Sequence, residues 1–86
     1  MESKLPKWFD GTKYEQGNIV ANPFSGEEVY LNRDELSMYD FLKSAEYTLM
    51  MMSEQNKTND KLVNDFDKGR DWFIKNNINA YMIILD

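Results

Sequence analysis

A helical pattern of apolar residues in the middle of the chain constrains the fold most. In the run NRDELSMYDFLKSAEYTLMMMSEQN, apolar side chains recur at steps of three and four residues, which places them on one side of an α-helix. Asn32 or Asp34 is suited to cap its start, and Asp34 and Glu35 stand where the helix dipole favours acids. The pattern predicts a helix over residues 33–54. Its apolar stripe consists of Met38, Phe41, Leu42, Ala45, Leu49 and Met52.

The same helix carries apolar residues that this stripe does not explain. Met50, Met51 and Met52 cannot all face one core, because successive residues of a helix point about 100° apart. Met50 and Met51 fall roughly 130° from the centre of the stripe, on opposite sides. Two interpretations stay open: the helix is sandwiched inside its own fold, or its second face contacts another chain. The predicted interface residues are Leu36, Tyr39, Tyr47, Met50 and Met51.

The segments around this helix predict further elements of a small domain. Residues 1–18 place proline, glycine and aromatic residues in a polar background, and we expect an arm whose aromatic rings pack on the body. Residues 19–31 predict a short β-hairpin, with Pro23 and Gly26 suited to its turn. Residues 59–76 predict a second helix, antiparallel to the first.

The last part of the chain completes a single α+β domain over residues 1–86. Gly69, inside the second helix, suggests close approach of another backbone. Asn76 and Asn77 favour an end to that helix, since asparagine tolerates the left-handed conformation common at helix ends. Residues 78–86 fit a short C-terminal helix or a strand, and the helix is preferred. The predicted core residues are Leu42, Leu49, Phe66 and Phe73, with Met38 and Phe41 beside them.

The composition excludes most kinds of catalytic and metal site. The 86 residues include no cysteine and no histidine, which removes disulfides, thiolate and imidazole catalysis, and almost all zinc and haem sites. Asp65, Asp67 and Asp71 superficially match a calcium loop, but Gly69 stands one position early and the closing glutamate is absent. A solvated charged face is the better interpretation. We therefore expect no catalytic, cofactor-binding or metal-binding residues, and a protein that is not an enzyme.

Charge and size indicate what kind of partner to expect. The net charge of −5 opposes unspecific binding to nucleic acids and to anionic membranes. Without a secretory signal pattern or an apolar run of roughly 20 residues, a cytoplasmic protein is expected. Self-association is the support for a small core that this composition leaves open. We therefore expect a protein-interaction module, either a homo-oligomer or the partner of another protein. The alternative is a nucleic-acid accessory protein that stacks bases on exposed Trp8, Phe9 or Trp72.

Three motifs cover parts of residues 17–46 and 71–86. They are GxxVxNPFSG in the predicted hairpin, ELSMYDF at the start of the first helix, and WF…NN…AYM…LD at the end of the chain. Together they resemble a family of small proteins from marine tailed phages of cyanobacteria and related hosts. The resemblance implies an accessory or virion-associated phage protein made in the cytoplasm of a bacterial host. It implies no active-site residues.

Overall fold

The computed structural model describes residues 4–85 and contains a β-hairpin followed by three helices. Strands β1 (Asn18–Ala21) and β2 (Glu28–Leu31) pair antiparallel. The helices are α1 (Arg33–Glu54), α2 (Asp60–Asn76) and α3 (Ile78–Ile84). This order of elements confirms the predicted α+β class, with a short helix rather than a strand in the C-terminal run. Residues 1–3 of the predicted arm and residue 86 of the predicted last helix lie outside the described residues.

Asn22 holds the hairpin loop together and ties it to the last helix. Its Oδ1 accepts the backbone N–H groups of Phe24 (2.7 Å) and Ser25 (3.1 Å). Its carbonyl accepts the N–H of Gly26, whose φ of 78° is the positive value that closes the turn. Asn22 Nδ2 donates to the carbonyl of Ile83 at 2.7 Å. The loop is therefore fixed both by its own hydrogen bonds and by α3.

An asparagine precedes each of the three helices. The side chains of Asn32, Asn59 and Asn77 each accept a backbone N–H of the following first turn. Glu35 completes a capping box, because its Oε1 accepts the Asn32 N–H at 3.0 Å. The other oxygen of this buried carboxylate accepts a hydrogen bond from Asn77 Nδ2 at 3.2 Å. One acid therefore joins the start of α1 to the junction of α2 and α3.

The predicted end of α2 is confirmed, and one expectation about its middle is wrong. Asn77 is the C-cap of α2, although its φ of −159° is extended rather than left-handed, because the residue also caps the start of α3. Gly69 faces side chains rather than another backbone. A Cβ at Gly69 would lie 2.9 Å from Leu42 Cδ2 and 3.0 Å from Met38 Sδ. The missing side chain thus makes room for the core residues of α1.

The core lies where the arm, the hairpin and the helices meet. Met38, Leu42 and Phe73 are buried as predicted, and Phe41 and Phe66 pack against them while half-buried. The rings of the arm pack on the body as expected, since those of Trp8 and Phe9 lie 5.8 and 5.7 Å from the Phe41 ring, edge to face. The buried core cluster consists of Phe9, Leu31, Met38, Leu42, Phe73, Ala80 and Ile84.

Leu49 does not belong to the core, contrary to the prediction. It is half-buried and lines a groove of about 480 Å³ with Val63, beside the α1–α2 turn. Burial along α1 ends at Ala45, in the middle of the helix. Past Ala45 the neighbour of α1 is α2, and a helix packed on one side leaves most of its surface to solvent.

We expect Asn22→Ala to lower the free energy of unfolding by about 1–3 kcal/mol, because it leaves the Ile83 carbonyl and two loop N–H groups without their partner. Urea unfolding followed by circular dichroism measures the change. Phe24→Ala is the control in the same loop. The Phe24 side chain is 97% exposed, so its loss should change the free energy by less than about 0.5 kcal/mol. Equal losses in the two variants would contradict the role of Asn22.

Two glycine substitutions should differ in cost. A Cβ at Gly17 would collide with the backbone carbonyl oxygen of Leu31, which cannot move without disturbing β2. Gly17→Ala should therefore cost about 3 kcal/mol. At Gly69 the obstacles are side-chain atoms, and alanine recovers about 1 kcal/mol of helix propensity, so Gly69→Ala should cost less. Urea denaturation of the two variants gives the order, and the reverse order would contradict this account.

Candidate interaction surface

The second face of α1 divides into a covered half and an open half. Leu36 and Tyr39 are half-buried and pack against the core. Tyr47, Met50 and Met51 are 62%, 53% and 38% exposed. Three of the five predicted interface residues therefore form one exposed apolar group. We call Tyr47, Met50 and Met51 the α1 outer patch.

The two halves of α1 differ in how far the rest of the fold covers them. The first half is held from outside by the arm: buried Ser37 accepts the Tyr14 N–H at 2.9 Å, and Asp34 accepts the Lys4 N–H at 2.8 Å. The arm thus covers one flank of this half, while Leu36 and Tyr39 on the second face stay half-buried. The second half follows Ala45, the last buried residue of α1. There the outer patch faces solvent.

A shallow cavity of about 270 Å³ runs along the outer patch. Its lining residues are Lys43, Glu46, Tyr47 and Met50, which follow one another at i, i+3, i+4 and i+7 on one side of the helix. The volume falls below the roughly 300–1,000 Å³ of pockets that enclose small molecules. Apolar side chains bordered by charged ones are instead typical of protein–protein contacts.

The charges beside the cavity have opposite sign and influence a neighbouring tyrosine. Lys43 Nζ lies 4.0 Å from Glu46 Oε2, and both side chains are largely exposed. Burial raises the pKa of Tyr39 above its ordinary 10.0, and the negative charge of Glu46 raises it further. Tyr39 is a neutral phenol at physiological pH. Its ring packs against the core, one helical turn before Lys43.

Other apolar side chains are exposed that the sequence did not single out as surface. Ile19 and Tyr30 are paired across the hairpin on its outer face. Ile78 and Met82 lie one turn apart on the outside of α3, a spacing that could have indicated an exposed face. Phe24 stands at the tip of the hairpin loop, where neighbouring turn residues gave no signal for its exposure.

The carboxylates of α2 are not all on a solvated face. Asp65 is buried and accepts a hydrogen bond from Lys61 Nζ at 2.8 Å, which corrects the expectation for this residue. That hydrogen bond is the main cause that raises the pKa of Lys61. Asp71 is exposed and pairs with Lys75 at 3.0 Å. Within residues 4–85, no three His, Cys, Asp or Glu side chains are grouped so that they could hold a metal ion.

The rings considered for base stacking take part in the fold. Phe9 is buried, and Trp8 is half-buried against Phe41. Trp72 Nε1 donates to the Lys4 carbonyl at 3.1 Å, and its ring packs against the core. In the described part of the chain, no helix is long and apolar enough to pass through a membrane.

A larger concavity of about 580 Å³ lies between the arm and the start of α1. Its charged lining residues are Lys4, Glu15, Arg33 and Asp34. Two basic and two acidic groups leave it without the concentrated charge that holds a phosphate or carboxylate ligand. The lining of this concavity therefore indicates a ligand class less clearly than the outer patch does.

Known proteins add no guide to this surface. Comparison with protein-family models, with curated proteins and with solved structures found no match to the chain.

We expect Tyr39 to ionise above pH 10.0, because burial and the Glu46 charge both raise its pKa. Since the folded-state pKa exceeds the unfolded one, the contribution of Tyr39 to stability is complete at lower pH and is lost as the pH rises through the folded value. The difference between ultraviolet titrations of the wild type and Tyr39→Phe isolates this phenol. Glu46→Gln should lower the pKa of Tyr39 only in part, because burial is the larger cause. An unchanged value would show that Glu46 does not act on it.

Proposed function

We propose that this protein is a non-enzymatic protein-interaction module that self-associates through the α1 outer patch. The observation that carries the proposal is the exposure of Tyr47, Met50 and Met51 side by side on a single helix. Contiguous apolar side chains exposed to water favour association, because their burial removes apolar surface from solvent.

The side chains of the outer patch suit a contact between proteins. Methionine is flexible and polarizable and adapts to the shape of a partner. Tyrosine buries a large ring while its hydroxyl keeps a polar partner. All three residues lie on a 22-residue helix, so little backbone order has to be gained on binding.

The size of the domain supports the same proposal. A chain of 86 residues buries roughly 60–65% of its unfolded surface and gains little from its core alone. Without cysteine, no disulfide adds to its stability. Burial of the outer patch against a second copy would add apolar contact where α1 lacks cover.

The nucleic-acid alternative has weaker support. Trp8, Phe9 and Trp72 serve the fold, and the net charge of −5 opposes attraction to phosphates. An oligonucleotide bound by the pure protein at low salt, and released as salt rises, would be the result in its favour.

The resemblance to the marine phage proteins suggests the setting of this module. We propose that it acts as an accessory or virion-associated protein produced in the cytoplasm of a bacterial host. Detection of the chain in purified virions by mass spectrometry would support the virion-associated form.

Tyr47→Glu and Met50→Glu should weaken self-association by roughly tenfold or more, because each places a charge in an apolar contact. Light scattering on a size-exclusion column, over a dilution series, measures the mass in solution. Met82→Glu is the matched control, since Met82 is 62% exposed but lies on α3. It should leave the mass unchanged.

Two results would contradict this proposal. A wild-type protein that is monomeric at every concentration would exclude self-association. If circular dichroism shows that Tyr47→Glu and Met50→Glu unfold the protein, the outer patch is part of the core.

A further inference from the structure

One stripe of α1 has a symmetry that suggests how two copies meet. Tyr39, Lys43, Glu46 and Met50 follow at steps of four, three and four residues, which places them within an arc of about 60°. This alternation of steps is the spacing by which one helix contacts another along its length. Lys43, Glu46 and Met50 of the stripe line the cavity, and Met50 also belongs to the outer patch.

The order of side chains in this stripe is apolar, basic, acidic, apolar. Read in the opposite direction, it presents an acid where it had a base and keeps an apolar residue at each end. Around a two-fold axis between Lys43 and Glu46, each base of one copy therefore faces the acid of the other. The apolar ends meet in the same way, the exposed part of half-buried Tyr39 against Met50. A two-fold interface requires such self-complementarity, because both copies offer the same surface.

We propose that the partner of the outer patch is a second copy bound antiparallel, α1 against α1, with Lys43 of each copy paired to Glu46 of the other. This proposal rests on the proposed self-association and adds its orientation and register. Parallel packing of the same stripes would set Lys43 against Lys43 and Glu46 against Glu46, and like charges in contact are unfavourable.

The geometry within one chain leaves these charges available to a partner. Lys43 Nζ and Glu46 Oε2 are 4.0 Å apart, the limit for an ion pair, and their side chains are 46% and 63% exposed. A contact this long on the surface contributes little, so exchanging it for a pair between chains costs little. The cavity between these charges and Met50 leaves room for a side chain of the second copy.

The two-fold arrangement also accounts for the rest of the outer patch. Tyr47 and Met51 lie on the same flank of the stripe. Rotation about an axis perpendicular to the two helices brings this flank of both copies to the same edge of the contact. Four apolar side chains would then cover that edge of the ion pairs.

Charge exchange tests the register, with sedimentation velocity as the readout. Lys43→Glu gives a copy with two acids at these positions, and Glu46→Lys gives one with two bases. Each variant alone should dimerise at least roughly tenfold more weakly than the wild type, since both intermolecular pairs become repulsive. An equimolar mixture should form a heterodimer, because every base then faces an acid again. The double variant Lys43→Glu/Glu46→Lys should dimerise like the wild type.

The controls separate this proposal from the one on which it rests. Far-UV circular dichroism of each variant establishes that it is folded, and a mass tag on one partner identifies the heterodimer by native mass spectrometry. A monomeric wild type would overturn self-association and the register together. If the wild type is a dimer but mixing the two folded single variants does not restore dimerisation, the antiparallel Lys43–Glu46 pairing alone is overturned.

Discussion

A buried carboxylate at the beginning of α1 determines where the other layers gather. Glu35 accepts hydrogen bonds from the Asn32 backbone and from the Asn77 side chain, which meets the need of a buried acid for partners. Because Asn77 stands between α2 and α3, this contact fixes the place where the chain turns back toward the hairpin. α3 then lies against β2, and Asn22 bonds to Ile83. This junction and the arm together cover the first half of α1.

The signals that could be read from the sequence are local ones. α1 begins after a capping asparagine and ends where its apolar spacing fails, so its observed bounds coincide with the predicted residues 33–54. The positive φ of Gly26 followed from turn chemistry in the same way. In both cases the deciding groups lie within a few residues of one another, and no knowledge of the tertiary fold was needed.

The division of the second face depends on tertiary packing and could not be read this way. Leu36 and Tyr47 point in directions only about 20° apart around α1, yet Leu36 packs against the core and Tyr47 is 62% exposed. A helical projection gives the direction of a side chain but not how far along the axis the neighbouring elements reach. The error at Leu49 has the same origin. The burial of Asp65 was not predicted, because it depends on tertiary packing that the charged residues around it in the sequence do not indicate.

The end of burial at Ala45 has a consequence for local stability along α1. Turns that bury few apolar groups open at a lower free energy than the core does, so backbone amides between Glu46 and Glu54 should exchange with solvent sooner than those between Met38 and Ala45. The outer patch lies in this weaker part. Association there would therefore also make the rare opening of this part of the helix rarer, because the second copy binds only the closed form.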